Sequence, residues 1–277
     1  MNGSSIGSWG WKWSAFDAAG FGGAAFVPTD ISGLVLWHDP TDITTLWTDS
    51  GRSVQVASDG DVIGAMDDKS AGGDHAIQAT AAAKPLYKTG IINSLPVARF
   101  DGTDDGMQTT AVDLSGTTGA TVFIIINSST TDATDMVLEQ GASTAASDGF
   151  WMVVGNNAGG AGNRTNGTLA DNSGQLLVAD DTWNDGNDNI ILFKGDSTGT
   201  SAVYLNGGTA DNTDTTNYGN HTNKVFNIGA RDDAASLFYA GDMGELLIYN
   251  TALSTADLNT VGNYLADKWG MTWGTIS

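Results

Sequence analysis

The sequence predicts an all-β chain closed by one C-terminal helix, on three observations. Its apolar residues come in short runs, such as 34–37, 121–126 and 189–193, rich in Val, Ile, Leu and aromatics and bounded by Gly, Asn or Asp. Runs of that length and make-up read as strands. A convincing helical period occurs once, near the end, where Leu258, Val261, Leu265 and Trp269 recur at helical spacing. The 277 residues, 40% of them hydrophobic, can bury a full core, and all-β sandwiches of about 200 to 250 residues are routinely one domain. One main domain over residues 31–277 is therefore expected, behind an N-terminal arm of residues 1–30.

The arm is a Gly, Ser and Ala background carrying Trp9, Trp11, Trp13, Phe16, Phe21 and Phe26. In an extended segment the three indoles share a face. Disordered tails are poor in aromatics and interfaces are anchored by them, so these six residues are read as a partner-binding segment that orders on another protein or a neighbouring subunit. The plainer alternative is a first strand covering the sandwich.

From residue 31 the domain starts, with a strand at 34–37 and an irregular descent through Pro40 and Asp42 to Leu46. Short strands are expected at 54–56 and 62–63. Asp67, Asp68, Asp74 and His75 then cluster in a turn-rich stretch, where Asp, Ser and Gly serve as turn formers before they serve as metal ligands. An apolar strand at 95–100 ends in the turn Asp101-Gly-Thr-Asp-Asp105. Strands follow at 121–126, 136–138 and 150–154, and residues 155–174 read as a loop or paired short ribbons. Residues 189–193 and 202–205 make a hairpin, 211–223 a polar loop, and 225–229 a return to the core. The run 245–249 is a strand buried on both faces. Ser254 and Asp257 then stand in a capping relation, Asn259, Asn263 and Asp267 take the wet side of the helix, and Gly270 supplies a left-handed cap.

Three of these stretches carry a resemblance. Gly-Glu-Leu-Leu-Ile-Tyr-Asn-Thr-Ala-Leu-Ser-Thr-Ala-Asp at 244–257, ending in Tyr-Leu-Ala-Asp-Lys-Trp-Gly at 264–270, resembles the closing strand and helix of laminin-G-like domains in the concanavalin A-like lectin/glucanase superfamily. Residues 67–78 and 96–105 are similar to two further segments of that family in the same order. The resemblance implies a two-sheet antiparallel jelly-roll sandwich with one C-terminal helix. It also implies the company of bacteriophage virion proteins, in which such domains recur and among which trimers are common. Some relatives bind calcium at loop carboxylates.

Charge excludes several classes of partner. The 11 Lys plus Arg against 32 Asp plus Glu give a net charge of −21, which repels nucleic acid and anionic lipid. No stretch of about 18 apolar residues exists to span a bilayer, and the N-terminus has no basic segment followed by an apolar one. Cysteine is absent, which is compatible with folding in a reducing cytoplasm.

Catalytic motifs are sparse. The glucanase relatives use a Glu-x-Asp-x-x-Glu strand, whereas the two glutamates here, Glu139 and Glu245, each stand alone. His38, His75 and His221 are scattered singly, and no nucleophile elbow or phosphate loop occurs. The expectation is a non-enzymatic virion structural protein made in the host cytoplasm, a surface decoration or fibre-type protein. On this reading its arm holds capsid or tail proteins, and its lectin-like domain takes up host or environmental glycans. A secreted bacterial lectin is the alternative, and a glycosidase using Asp residues a more distant one. If a cofactor is bound it is calcium, with Asp101, Asp104 and Asp105 as the ligand set because three oxygens in one turn suit a hard cation. The competing reading is a turn whose carboxylates cap backbone amides.

Overall fold

The computed structural model describes residues 25–128, 134–141, 149–155, 166–170, 176–177, 186–214, 223–231 and 235–277. Its first strands are β1 (Leu34–His38), β2 (Leu46–Trp47), β3 (Ala65–Met66), β4 (Ala76–Ile77), β5 (Leu86–Ile92) and β6 (Leu95–Asp101). Next come β7 (Met107–Asp113), β8 (Gly119–Asn127), β9 (Thr134–Gln140), β10 (Gly149–Gly155), β11 (Asn166–Ala170) and β12 (Leu176–Leu177). The chain ends with β13 (Asp188–Asp196), β14 (Ser201–Leu205), β15 (Asn212–Asp214), β16 (Asn223–Ile228), β17 (Ala240–Tyr249) and α1 (Thr255–Trp269).

Two antiparallel sheets face each other. The first runs β15-β14-β13-β8-β17-β6-β5, with β1 also paired to β17. The second runs β12-β11-β10-β9-β16-β7-β4-β3-β2. The expected sandwich with a single C-terminal helix is therefore what the chain builds, and no described helix is long and apolar enough to cross a membrane.

The continuous apolar runs in β8, β13 and β17 follow from burial on both faces. In β8, Val122, Ile124 and Ile126 enter the core between the sheets with Phe100, Leu138, Phe226 and Ile248. Phe123 and Ile125 point the other way, into a second core beneath α1. That helix begins where the Ser254 hydroxyl accepts the Asp257 amide at 3.2 Å and ends at Gly270 with φ of 68°. Asp257 answers by accepting the Ser254 hydroxyl proton at 2.8 Å instead of reaching the Ser254 amide. Leu258, Val261, Leu265, Ala266 and Trp269 lie buried against the first sheet.

Several expectations need correction. Asn259 was expected on the wet side, but its side chain pins the C-terminal tail: Oδ1 accepts from Trp273 Nε1 at 3.1 Å and from the Ile276 amide at 2.9 Å, and Nδ2 donates to the Ile276 carbonyl. The polar stretch 211–223 contains β15, and the stretch after Asp105 contains β7, a strand of small and polar residues that no apolar run announces. The segments at 54–56 and 62–63 contribute isolated bridges only, Gln55 to Trp47 and Val62 to Leu86.

Trp9, Trp11, Trp13, Phe16 and Phe21 lie outside the described residues. Phe26 packs edge-on against Tyr264 of α1 with ring centres 5.6 Å apart, and the Pro28 carbonyl accepts the Tyr249 hydroxyl at 3.1 Å. Residues 26–28 thus lie on the helix side of the domain.

Candidate functional site

The two sheets differ in what covers them. The outer face of the first is sealed by α1 and by Trp273 and Ile276, whereas neither apolar cluster of described residues lies on the outer face of the second. On that face one register level crosses six strands. Trp47 stands opposite Ala65, Ala65 opposite Ile77, Ile77 opposite Gln108, Gln108 opposite Asn227, and Asn227 opposite Glu139. Their chain neighbours Leu46, Met66, Ala76, Met107, Ile228 and Leu138 all enter the inter-sheet core, which turns the row itself outward. With strands about 4.8 Å apart, five intervals make a strip of about 24 Å.

The strip changes character along its length. At the β2 end Trp47 donates its indole N–H to Asp67 at 2.8 Å, and Arg52 pairs with the same carboxylate at 3.0 Å. Ile77 is 44% exposed and supplies the apolar surface of this end. The polar end is deep. Gln108 Nε2 donates to Asn227 Oδ1 at 3.0 Å, Asn227 Nδ2 donates to Glu139 Oε2 at 3.2 Å and to the Gly141 carbonyl at 2.9 Å, and Arg231 Nε reaches Glu139 Oε1 at 3.2 Å. Glu139 is buried, and its two carboxylate oxygens are met there by the guanidinium and the amide. Read as a lone residue in the sequence, it is the inner member of a polar chain drawn from β7, β9, β16 and the turn after β16. The part-exposed Gln108 amide and Arg231 guanidinium, held from beneath by Asn227 and Glu139 and set beside apolar surface, suit a hydroxyl-rich ligand, whose O–H groups need paired donors and acceptors and whose C–H faces need apolar cover.

The acidic turn is assembled as expected. Asp101, Asp104 and Asp105 bring one carboxylate oxygen each within 4.8 Å of the others. Asp105 is buried, and its Oδ2 accepts the Asp101 amide at 2.9 Å, while Asp101 Oδ1 accepts the Thr103 amide at 2.8 Å. Burial, with the neighbouring Asp101 charge, pushes the Asp105 carboxyl up to about 6. Beside this turn a groove of about 320 Å³ is lined by Arg99, Asn127 and Asp242, whose polar atoms already have protein partners. Arg99 grips Asp242 through two bonds of 2.7 and 2.8 Å, and Asn127 donates to Asp188 at 2.7 Å.

The cluster at 67–75 organises backbone. Asp68 accepts the amides of Trp37, Ser70 and Asp74, and His75 Nδ1 accepts the Asp68 amide at 3.0 Å. His38 is buried with neither ring nitrogen hydrogen-bonded, and burial lowers its pKa to about 4, so it is neutral.

Glu245, the other apparently lone glutamate, is fully buried and accepts four bonds. Trp37 Nε1 and the Tyr264 hydroxyl reach Oε1 at 2.7 and 2.9 Å, and Lys268 Nζ and Trp269 Nε1 reach Oε2 at 2.7 and 3.2 Å. Lys268 also touches Asp39 at 2.9 Å. Burial raises the Glu245 pKa, assisted by the Asp39 charge and opposed by Lys268. Burial pulls Asp39 the same way, but Lys268 and Lys69 outweigh it and hold that carboxyl below the ordinary range.

No family model matches the chain, and no curated protein matches its sequence. Solved structures do. A GH54 α-L-arabinofuranosidase soaked with a cyclic sulfate inhibitor superposes with a TM-score of 0.59 at 13% identity, over 85% of this chain and 63% of that one. The receptor binding domain of a botulinum neurotoxin C/D mosaic serotype gives 0.57 at 12% identity, over 87% and 55%. The binding domain of Paraclostridial Mosquitocidal Protein 1 gives 0.56 at 12% identity, over 86% and 55%. These likenesses show the fold. It is a lectin-like β-sandwich, and the chain spans between about half and two thirds of the length of these proteins.

Proposed function

We propose that the chain is a non-enzymatic glycan-binding sandwich whose ligand lies along the outer face of the second sheet, from Trp47 and Ile77 to Gln108 and Arg231, which the buried Asn227 and Glu139 hold in place. The observation that carries this reading is the asymmetry of the two sheets. The helix-covered sheet has no apolar face left to offer, whereas on the other Trp47, Ile77 and Gln108 reach the surface from a row of about 24 Å whose far end, Asn227 and Glu139, is buried beneath Gln108 and Arg231. The binding domains and the sugar-cleaving enzyme among the structures of like fold support it by analogy. Net charge of −21 favours neutral over anionic glycans. We place the protein on a bacteriophage virion, as a trimeric decoration or fibre-type protein attached to capsid or tail proteins through its arm. Support for that part is the laminin-G-like resemblance and the aromatic-rich residues 1–30.

A glycan array followed by titration calorimetry tests the ligand face. Arg231→Ala, which frees Glu139 from its cation, lowers affinity for the best neutral oligosaccharide at least about tenfold, the loss expected from one charge-assisted contact, with an unchanged circular dichroism spectrum. Equal affinity of wild type and variant sinks the assignment of the face. Release of reducing ends from polysaccharide by the wild type refutes the non-enzymatic reading. Mass spectrometry of purified virions decides the placement separately.

A further inference from the structure

A lysine held between two buried carboxylates is the arrangement in which an amine and an acid can condense. Lys268 Nζ lies 2.9 Å from Asp39 Oδ2 and 2.7 Å from Glu245 Oε2. Both carboxylates are cut off from water: the side chains of Asp39 and Glu245 are 4% and 0% exposed. Trp37, Tyr264 and Trp269 close the space around Glu245 with their own N–H and O–H groups. The other oxygen of Asp39, Oδ1, accepts the Thr41 amide at 3.1 Å and the Thr41 hydroxyl at 2.6 Å. A second ammonium, Lys69, sits 2.9 Å from Oδ2.

We propose that Lys268 and Asp39 become joined by an intramolecular amide bond, with Glu245 as the proton carrier and Thr41 as the oxyanion donor. The step balances without any co-reactant. Lys268 starts as an ammonium, and one of its protons passes over Glu245 to Oδ2 of Asp39. The neutral amine attacks Cγ, and charge gathers on Oδ1, where the Thr41 N–H and O–H already point. A second proton leaves the nitrogen by the same route, the Cγ–Oδ2 bond breaks, and Oδ2 departs as water beside the Lys69 ammonium. Glu245 ends ionised, as it began, and the third proton stays on the amide nitrogen.

Three features separate this site from an ordinary buried ion pair. The amine and acid are held at contact distance by a strand end and a helix, which replaces a bimolecular encounter with a fixed one. Burial raises the proton affinity of Glu245, which suits it to take a proton from the adjacent ammonium and pass it on, against the pull of Lys268 and Lys69 that keeps Asp39 ionised at rest. Exclusion of water also opposes hydrolysis of the product. Of the two lysines at Asp39, Lys268 has the sealed glutamate, whereas the second partner of Lys69 is Asp42, whose side chain is 35% exposed. The bond would tie the end of β1 to α1 and so enclose most of the domain in one covalent loop, restricting the unfolded chain as a long-range disulfide does.

Mass spectrometry of the full-length protein under denaturing conditions tests this directly. The wild type is expected to be lighter than its sequence mass by one water molecule, and Lys268→Arg is expected to show the full mass. Asp-Gly pairs such as Asp59-Gly60 and Asp101-Gly102 can also lose water by cyclisation, so the deciding result is a branched peptide that joins the segments bearing Asp39 and Lys268. Glu245→Gln slows the linkage at least about 100-fold, the low end of proton-transfer catalysis, and Thr41→Val slows it independently should Glu245→Gln fail to fold. Absence of the branched peptide from wild type after prolonged incubation at neutral pH overturns the proposal. A branch from Lys69, or a folded Glu245→Gln linked at the wild-type rate, overturns the roles given to Lys268 and Glu245.

Discussion

Removing the indole of Trp269 tests how α1 is held to the first sheet. The side chain is 1% exposed, and its ring lies against the backbone of Gly244, where an added Cβ would come within 2.9 Å of Cη2 and 2.8 Å of Ile125 Cβ. Its N–H donates to Glu245 at 3.2 Å, a long bond that three shorter donors back up. Most of the stabilisation therefore comes from area. A buried aromatic side chain hides about 150 to 250 Å², which at about 25 cal/mol per Å² is about 4 to 6 kcal/mol. The unfolded chain already hides part of that surface, so Trp269→Ala is expected to cost about 3 to 5 kcal/mol. Trp269→Phe keeps much of the ring and drops the N–H, for a loss of about 1 to 2 kcal/mol. Urea titrations of the three proteins, followed by circular dichroism with a common m-value, measure both numbers. A loss below about 1 kcal/mol for the alanine variant refutes the reasoning, because a helix seated by this residue cannot lose it so lightly.

Two further outcomes rest on local geometry. At Gly262 an added Cβ would stand 2.1 Å from Cε2 of Trp273, a buried ring pinned by Asn259, so Gly262→Ala is expected to lower stability by about 1 to 2 kcal/mol despite the gain of about 1 kcal/mol in helix propensity. A higher melting temperature in that variant shows the tail to be displaceable. Asp105 titrates at about 6 in the folded protein, above its unfolded value, so the stability its neutral form contributes is complete below about pH 4 and lost as pH rises through about 6. The full linkage value is about 3 kcal/mol, and solvent at an open turn reduces it to about 1. Asp105→Asn is then more stable than wild type at pH 7.5, within the about 6 and above range where wild type is charged, and equal to it near about pH 4; equal stability at both pH values refutes the assignment. Calcium at Asp101, Asp104 and Asp105 would relieve the same repulsion, and a melting temperature that rises with calcium and returns with chelator is its signature. Identical temperatures in both leave the turn as a cap on its own amides.

The sequence by itself determined the parts of this protein that local chemistry controls. The apolar runs at 122–126, 190–193 and 246–249 are strands because a strand buried on both faces is apolar on both wherever no polar partner converges on it. The helix is bounded by Ser254 and Gly270 because capping is a matter of a few neighbouring atoms. The carboxylates of Asp101, Asp104 and Asp105 meet because they share one turn. Sheet order and register were decided only in three dimensions, and with them both glutamate sites. Glu139 gains its partners when β16 lies beside β9 and β7, which brings Asn227 and Gln108 from far along the chain. Glu245 gains Trp37 across more than two hundred residues because β1 pairs with β17, and gains Lys268 because the helix folds back over that pairing. A buried carboxylate is tolerated only where donors converge on it, and that convergence is a property of packed elements, which no spacing within one segment records.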